Sequence, residues 1–199
     1  MKGEETMMEE LLIYAIVFLL FSQLITFFCL FLIFRQFGQV YLSTGESIAR
    51  DGLALGKKIP SVQAWSLSDH KLVSINNAGN KPTLLVFISP RCKPCEELVE
   101  DWNLKYETYK DEVHFCVVFV GEEDEVNTLI EKKIIYGERF WDRNQELFNR
   151  FQVRVTPFAF ALDDGLIKDK GLCGNAQQID QMIGTLLVNE QKIVEEEER

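Results

Sequence analysis

Cys92-Lys93-Pro94-Cys95 sets two thiols three positions apart. Three positions along a helix is close to one turn, so the two sulfurs can meet and close a small disulfide. The pair follows an apolar run over residues 83–89 and opens a stretch with helical character. A helix start offers N–H groups without partners and a partial positive charge, and both favour a thiolate over a thiol. Arg91 and Lys93 add charge of the same sense, and Pro94 stiffens the first turn. A thiolate beside a second thiol can exchange electrons with other disulfides: Cys92, the N-terminal and more exposed thiol, attacks to form a mixed disulfide, and Cys95 resolves it. The same spacing is also half of a zinc site. A full site would need two more thiols or imidazoles, and the chain has two histidines (His70 and His114) and no second C-x-x-C. No metal and no bound cofactor are therefore expected.

The elements that must position this pair alternate between strand and helix. Residues 62–67 and 72–75 read as short strands around the polar turn 68–71, and 76–82 as a loop. The continuous apolar run 83–89 suits a strand buried on both faces. Residues 94–110 are helical, with Leu98, Trp102 and Tyr106 recurring on one face. Residues 113–120 form a second central strand, 122–133 a helix and 144–151 a short helix. Strand 158–162 turns at Asp163-Asp164-Gly165 into strand 166–170, and helix 177–188 closes the chain. A strand–helix–strand crossover followed by a hairpin and a helix gives an α/β layered sandwich with a mixed sheet. Trp65, Trp102, Phe140, Trp141 and Phe148 are read as packing residues. Cys116 is read as buried and inert, and His114 as structural.

Ahead of this domain, residues 11–34 hold 24 consecutive positions without a charge and six phenylalanines. About 20 apolar residues suffice for a helix to cross the hydrocarbon layer. A cleaved signal would start basic and end on small residues, whereas this segment is preceded by Glu4, Glu5, Glu9 and Glu10 and followed by Arg35-Gln36-Phe37. An uncleaved single-pass anchor is the expectation, with Cys29 an apolar filler inside it. The organisation expected is an acidic segment over 1–10, the anchor over 11–34, a tether over 35–58, the folded domain over 59–190 and an acidic tail over 191–199. The net charge of −10 gathers at the two ends, leaving no basic stripe for nucleic acid. Basic residues after the anchor lean slightly towards a cytoplasmic domain.

The order of elements, with C-x-x-C after the first central strand and Thr156-Pro157 before the hairpin, resembles the thioredoxin fold. Within that superfamily the chain resembles the membrane-anchored redoxins, the TlpA-like proteins and especially the MauD-like methylamine-dehydrogenase accessory group. The matching segments are Arg35-Gln36-Phe37-Gly38 after the anchor, Leu55-Gly56-Lys57-Lys58-Ile59-Pro60, Phe87-Ile88-Ser89-Pro90-Arg91-Cys92-Lys93-Pro94-Cys95, and Val155-Thr156-Pro157-Phe158-Ala159-Phe160 with its continuation to Leu172.

The resemblance implies a thioredoxin-like three-layer sandwich acting as a thiol–disulfide oxidoreductase. Its partners would be a disulfide- or thiol-containing polypeptide client, an electron donor or acceptor, and membrane lipid through the N-terminal helix. It further implies a cis Pro157 against the dithiol, with the Thr156 backbone free to pair with a client, Phe158 lining the groove, and an exported domain, opposite to the charge reading. Cys173, at the junction of last strand and closing helix, is a candidate third redox thiol, or else a half-buried small residue. Two departures stand out. The buried acid that thioredoxins place six residues before the first cysteine is Val86 here, so a base such as Glu96, Glu97 or a water would have to serve. The aromatic residue that often precedes the first cysteine is replaced by Arg91. A client-specific maturation factor is the alternative reading. A thiol peroxidase is the weaker one, since Ser89-Pro90 stands where a Thr-x-x-Cys arrangement is required.

Overall fold

The computed structural model describes residues 13–34, 51–75 and 81–197, with side chains through residue 188. The chain divides into two units, Met1–Ser47 and Ile48–Arg199. Within the first, helix α1 spans Ile13–Phe34, long and apolar enough to cross a membrane. The acidic segment 1–10 and the tether up to residue 50 lie outside the described residues.

The second unit runs β1 (Gln63–Ser66), β2 (Lys71–Ser74), β3 (Thr83–Ile88), α2 (Lys93–Tyr109), β4 (His114–Val120), α3 (Glu123–Lys132), β5 (Glu138–Asp142), α4 (Glu146–Arg150), β6 (Phe158–Asp163), β7 (Leu166–Leu172) and α5 (Ala176–Glu197). The seven strands lie in the order β2-β1-β5-β4-β3-β6-β7. β3 runs parallel to β4 and β4 to β5, while β6 and β7 return antiparallel on the other side of β3. This is a thioredoxin-like mixed sheet.

Every residue of β3 is buried, and the period of two divides them between two cores. Leu84, Val86 and Ile88 pack with Leu98 and Trp102 of α2 and with Ile179, Ile183 and Leu186 of α5. Leu85 and Phe87 face the other way, among Val118, Phe140, Leu147, Phe151 and Phe160. Phe87 is the hub of that second core, 5.4 Å from the Phe151 ring and 6.1 Å from Phe160. A strand buried on both sides cannot shift register without exposing one whole face, so the end of β3 is a fixed point for whatever follows it.

Two features differ from the sequence-based expectation. β5 is a full strand, pairing Cys116↔Glu138 through Val120↔Asp142 with β4 and Trp65↔Trp141 with β1. Its Glu-Arg-Phe-Trp-Asp sequence shows neither alternation nor an apolar run. Phe140, Trp141 and Asp142 are all buried, Asp142 because it accepts the Leu147 and Phe148 N–H groups at 3.2 and 2.8 Å and so holds the start of α4.

The second difference is the tether, expected to end at residue 58. Residues 51–58 instead form a strap on the domain. Gly52 N–H donates to Gln152 O (2.9 Å), Leu53 N–H to Phe151 O (3.0 Å) and Gly56 N–H to Ile167 O (2.8 Å). Lys170 donates from Nζ to the Asp51 and Gly52 carbonyls at 2.6 and 2.9 Å. Gly52 sits at φ +72° against the Phe158 and Phe160 rings, where a Cβ would stand 2.8 Å from Phe160. It reads as a linker glycine but is there because nothing larger fits.

Candidate active site

β3 ends at Ile88, and Ser89-Pro90-Arg91 carries the chain into α2. Cys92 is the N-cap of that helix, with extended backbone, and Pro94 lies in its first turn. Cys92 and Cys95 are joined as a disulfide with Cα atoms 5.2 Å apart. The Cys95 N–H donates to Cys92 Sγ at 3.3 Å, one of the N–H groups that a helix leaves without an internal partner. When the disulfide is reduced, this donor faces a thiolate and stabilises it. The two sulfurs differ in access: Cys92 is partly exposed, whereas Cys95 is 1% exposed.

The Thr156–Pro157 bond is cis, and Cys92 Sγ lies 3.3 Å from the Thr156 carbonyl oxygen. The loop before β6 thus comes against the dithiol although it is 64 positions away in sequence. Behind it, Cys173 N–H donates to Pro157 O at 3.1 Å, which ties the end of β7 to the proline.

Each remaining expected residue has a definite place. The Arg91 guanidinium is held by Glu125, with Nε 2.7 Å from Oε1, and that pairing raises its pKa. Lys93 stands 3.8 Å from Glu97, both well exposed. The two cations next to the dithiol therefore share their charge with acids, which weakens their pull on the thiolate. Val86 is buried below Cys95 and, with Leu98, Val99, Trp102 and Ile135, lines an apolar cavity of about 10 Å³. That is room for about one water at most, and its lining is apolar apart from the Cys95 sulfur and the Trp102 indole, whose N–H is already given to Tyr136 O. Neither Glu96 nor Glu97 points into it, both being exposed. Cys173 is fully buried, and burial pushes its thiol up to about 12. It adjoins the site through its backbone while its sulfur sits in the core, protonated at neutral pH. Phe158 is also fully buried, packed on Phe160 at 5.2 Å, rather than in the groove.

Residues not singled out from the sequence complete the surroundings. A groove of about 280 Å³ runs past Ser89, Arg91, Gly121, Gln145, Arg154 and Thr156. Glu125, Gln145 and Arg154 reach it from three separate elements, and no spacing in the sequence joins them. Arg143 stacks on Trp65 and Trp141, 4.2 and 4.6 Å from the ring centroids.

No protein-family model matches the chain. It is similar to methylamine utilization protein MauD of Methylobacillus flagellatus, 25% identical over 162 residues, which cover 78% of this chain and 77% of that protein. MauD of Methylorubrum extorquens is 25% identical over 144 residues, covering 70% and 67%. Among solved structures, the thioredoxin domain of a thiol-disulfide oxidoreductase from Bacteroides vulgatus superposes with a TM-score of 0.57 at 20% identity, over 65% of this chain and 97% of that one. DsbF of Mycobacterium tuberculosis does so with a TM-score of 0.57 at 18% identity, over 64% and 98%. A disulfide at a helix start, a cis proline against it, this sheet order and these neighbours agree: the chain has a thioredoxin-like fold with a Cys92–Cys95 pair at its helix start, and it is similar to the MauD proteins.

Proposed function

We propose that α1 holds the domain at an extracytoplasmic membrane surface, where Cys92 and Cys95 exchange electrons with a disulfide- or thiol-containing polypeptide client. The observation that carries this reading is the partly exposed Cys92 sulfur 3.3 Å from a backbone carbonyl of the cis-proline loop. A client strand laid along Thr156 can pair with that backbone and bring its own sulfur to Cys92. In the reducing direction, the Cys92 thiolate attacks one client sulfur and the other leaves as a thiolate. Cys95 then attacks Cys92 Sγ, which closes the internal disulfide and releases the second client thiol, two electrons having passed to the client. The reverse sequence donates the disulfide. The extracytoplasmic side is supported by where disulfides persist and need exchange.

Cys95→Ala should stall the reaction after the first attack. Expressed as the full chain in membranes, it should accumulate covalent adducts with one or a few polypeptides that vanish on reduction, while Cys92→Ala gives none. A folded Cys95→Ala protein that forms no such adduct would sink the proposal. A client-specific maturation factor is the second reading, favoured by relatives named for a single metabolic process. Under it, the Cys92→Ser/Cys95→Ser double variant still supports assembly of the client.

A further inference from the structure

We propose that His114, Cys116 and Glu138 form a binding site for a thiophilic divalent cation such as zinc, at the end of the sheet remote from the dithiol. His114 and Cys116 are alternate residues of β4, so their side chains leave on the same face. Glu138 is the register partner of Cys116 on parallel β5. The ladder thus gathers an imidazole nitrogen, a sulfur and a carboxylate oxygen, with the three donor atoms within 4.8 Å of one another. His114 Nε2 is 3.2 Å from Glu138 Oε2, His114 Nδ1 is 3.3 Å from Cys116 Sγ, and Sγ is 3.9 Å from Oε2. Ligand pairs on one tetrahedral zinc ion stand about 3.4–3.7 Å apart, given metal–ligand distances of about 2.0–2.3 Å. The two approaches to His114 use different ring nitrogens and an imidazole lends an ion only one, so the ring would turn to aim a single nitrogen between Sγ and Oε2, which already stand 3.9 Å apart.

The surroundings also suit a site. Cys116 is 1% exposed and forms the floor, while the His114 and Glu138 side chains are 28% and 32% exposed and form the mouth. Solvent can reach the ion from that side and supply a water as fourth ligand. Gly137, at φ +101°, presses the start of β5 onto β4 so closely that a Cβ there would stand 2.6 Å from Phe115 O. That contact holds Glu138 beside Cys116. Sulfur with imidazole favours zinc over calcium or magnesium. On binding, Cys116 releases its S–H proton to solvent, and the imidazole and carboxylate give lone pairs. The shortage of histidines that argues against zinc at Cys92 does not apply here, because strand register rather than sequence spacing assembles the donors. β3 runs from Thr83, beside His114, to Ile88 near the dithiol, about 17 Å at the strand rise per residue, so the ion would join β4 to β5 without contact with the redox pair.

Without an ion the same three groups can satisfy one another by hydrogen bonds, and cobalt titration separates the two arrangements. The full chain in detergent, with Cys92–Cys95 oxidised so that neither sulfur is free, is titrated with Co²⁺. One equivalent should give a thiolate-to-cobalt charge-transfer band with tetrahedral visible bands, removed by added Zn²⁺. Cys116→Ser should abolish the band, Cys173→Ser should retain it, and Glu138→Gln should weaken binding at least about tenfold. No band in the unaltered chain, or one that survives Cys116→Ser, overturns the site. If Cys116→Ser fails to fold, Glu138→Gln decides, and cobalt affinity equal to that of the unaltered protein overturns it.

Discussion

Cys92 and Cys95 share a helix turn yet have unequal access, and this fixes their roles more firmly than their spacing does. Only Cys92 can meet an external sulfur, and Cys95, over an apolar cavity with Val86 below, can reach only Cys92. Glu125 takes up the charge of Arg91, the residue before Cys92. In Glu125→Gln the guanidinium should bear more fully on the reduced dithiol and lower the Cys92 pKa, by less than about one pH unit since the Arg91 side chain is well exposed. Alkylation rate of the reduced protein against pH measures this; a midpoint that stays put or rises would show that Arg91 does not act on the thiolate. The dithiol was legible from residue type and local order, whereas the cis Thr156–Pro157 bond was expected only through the resemblance to the thioredoxin fold. Glu125 and the His114–Cys116–Glu138 trio were not legible, since each depends on contacts between elements that no spacing records.

Among the elements, α2 presents the dithiol and Trp102 seats α2. The indole is 2% exposed, stands 5.0 Å from the Phe115 ring and donates from Nε1 to Tyr136 O at 2.9 Å. Trp102→Ala should cost about 3–5 kcal/mol by the cavity it leaves and by the carbonyl it strands. Denaturant unfolding of the oxidised protein would register the loss; a cost below about 1 kcal/mol would mean that α2 is held mainly by other contacts. β3 and β4 were evident from their apolar runs, and α2 and α5 from their period. β5 was hidden because its order is set by neighbours. Trp141 is fixed by pairing with Trp65 and by donating to Gly121 O at 3.0 Å, and Asp142 by the helix it caps. None of these is a local signal.

For the molecule as a whole, the boundary between tether and domain has a measurable consequence. The strap 51–58 contributes main-chain bonds to the loop after α4 and to β7. At about 0.5–1.5 kcal/mol net for each bond, a domain beginning at residue 59 should be at least about 2 kcal/mol less stable to urea than one beginning at residue 51. Equal midpoints would show the strap to be passive. Its glycines and lysines have the composition of a linker, so only the packing of Gly52 on two phenylalanine rings reveals its role. The strap also decides where mechanical load enters. A pull on the chain from its N-terminal side falls first on the Lys170 bonds to Asp51 and Gly52 and on the pairing with β7, the edge strand. That seam can peel residue by residue while β3, locked between two cores, keeps the dithiol in place. Under the proposed anchoring, the strap would serve as a strain relief between the chain's N-terminal side and the dithiol.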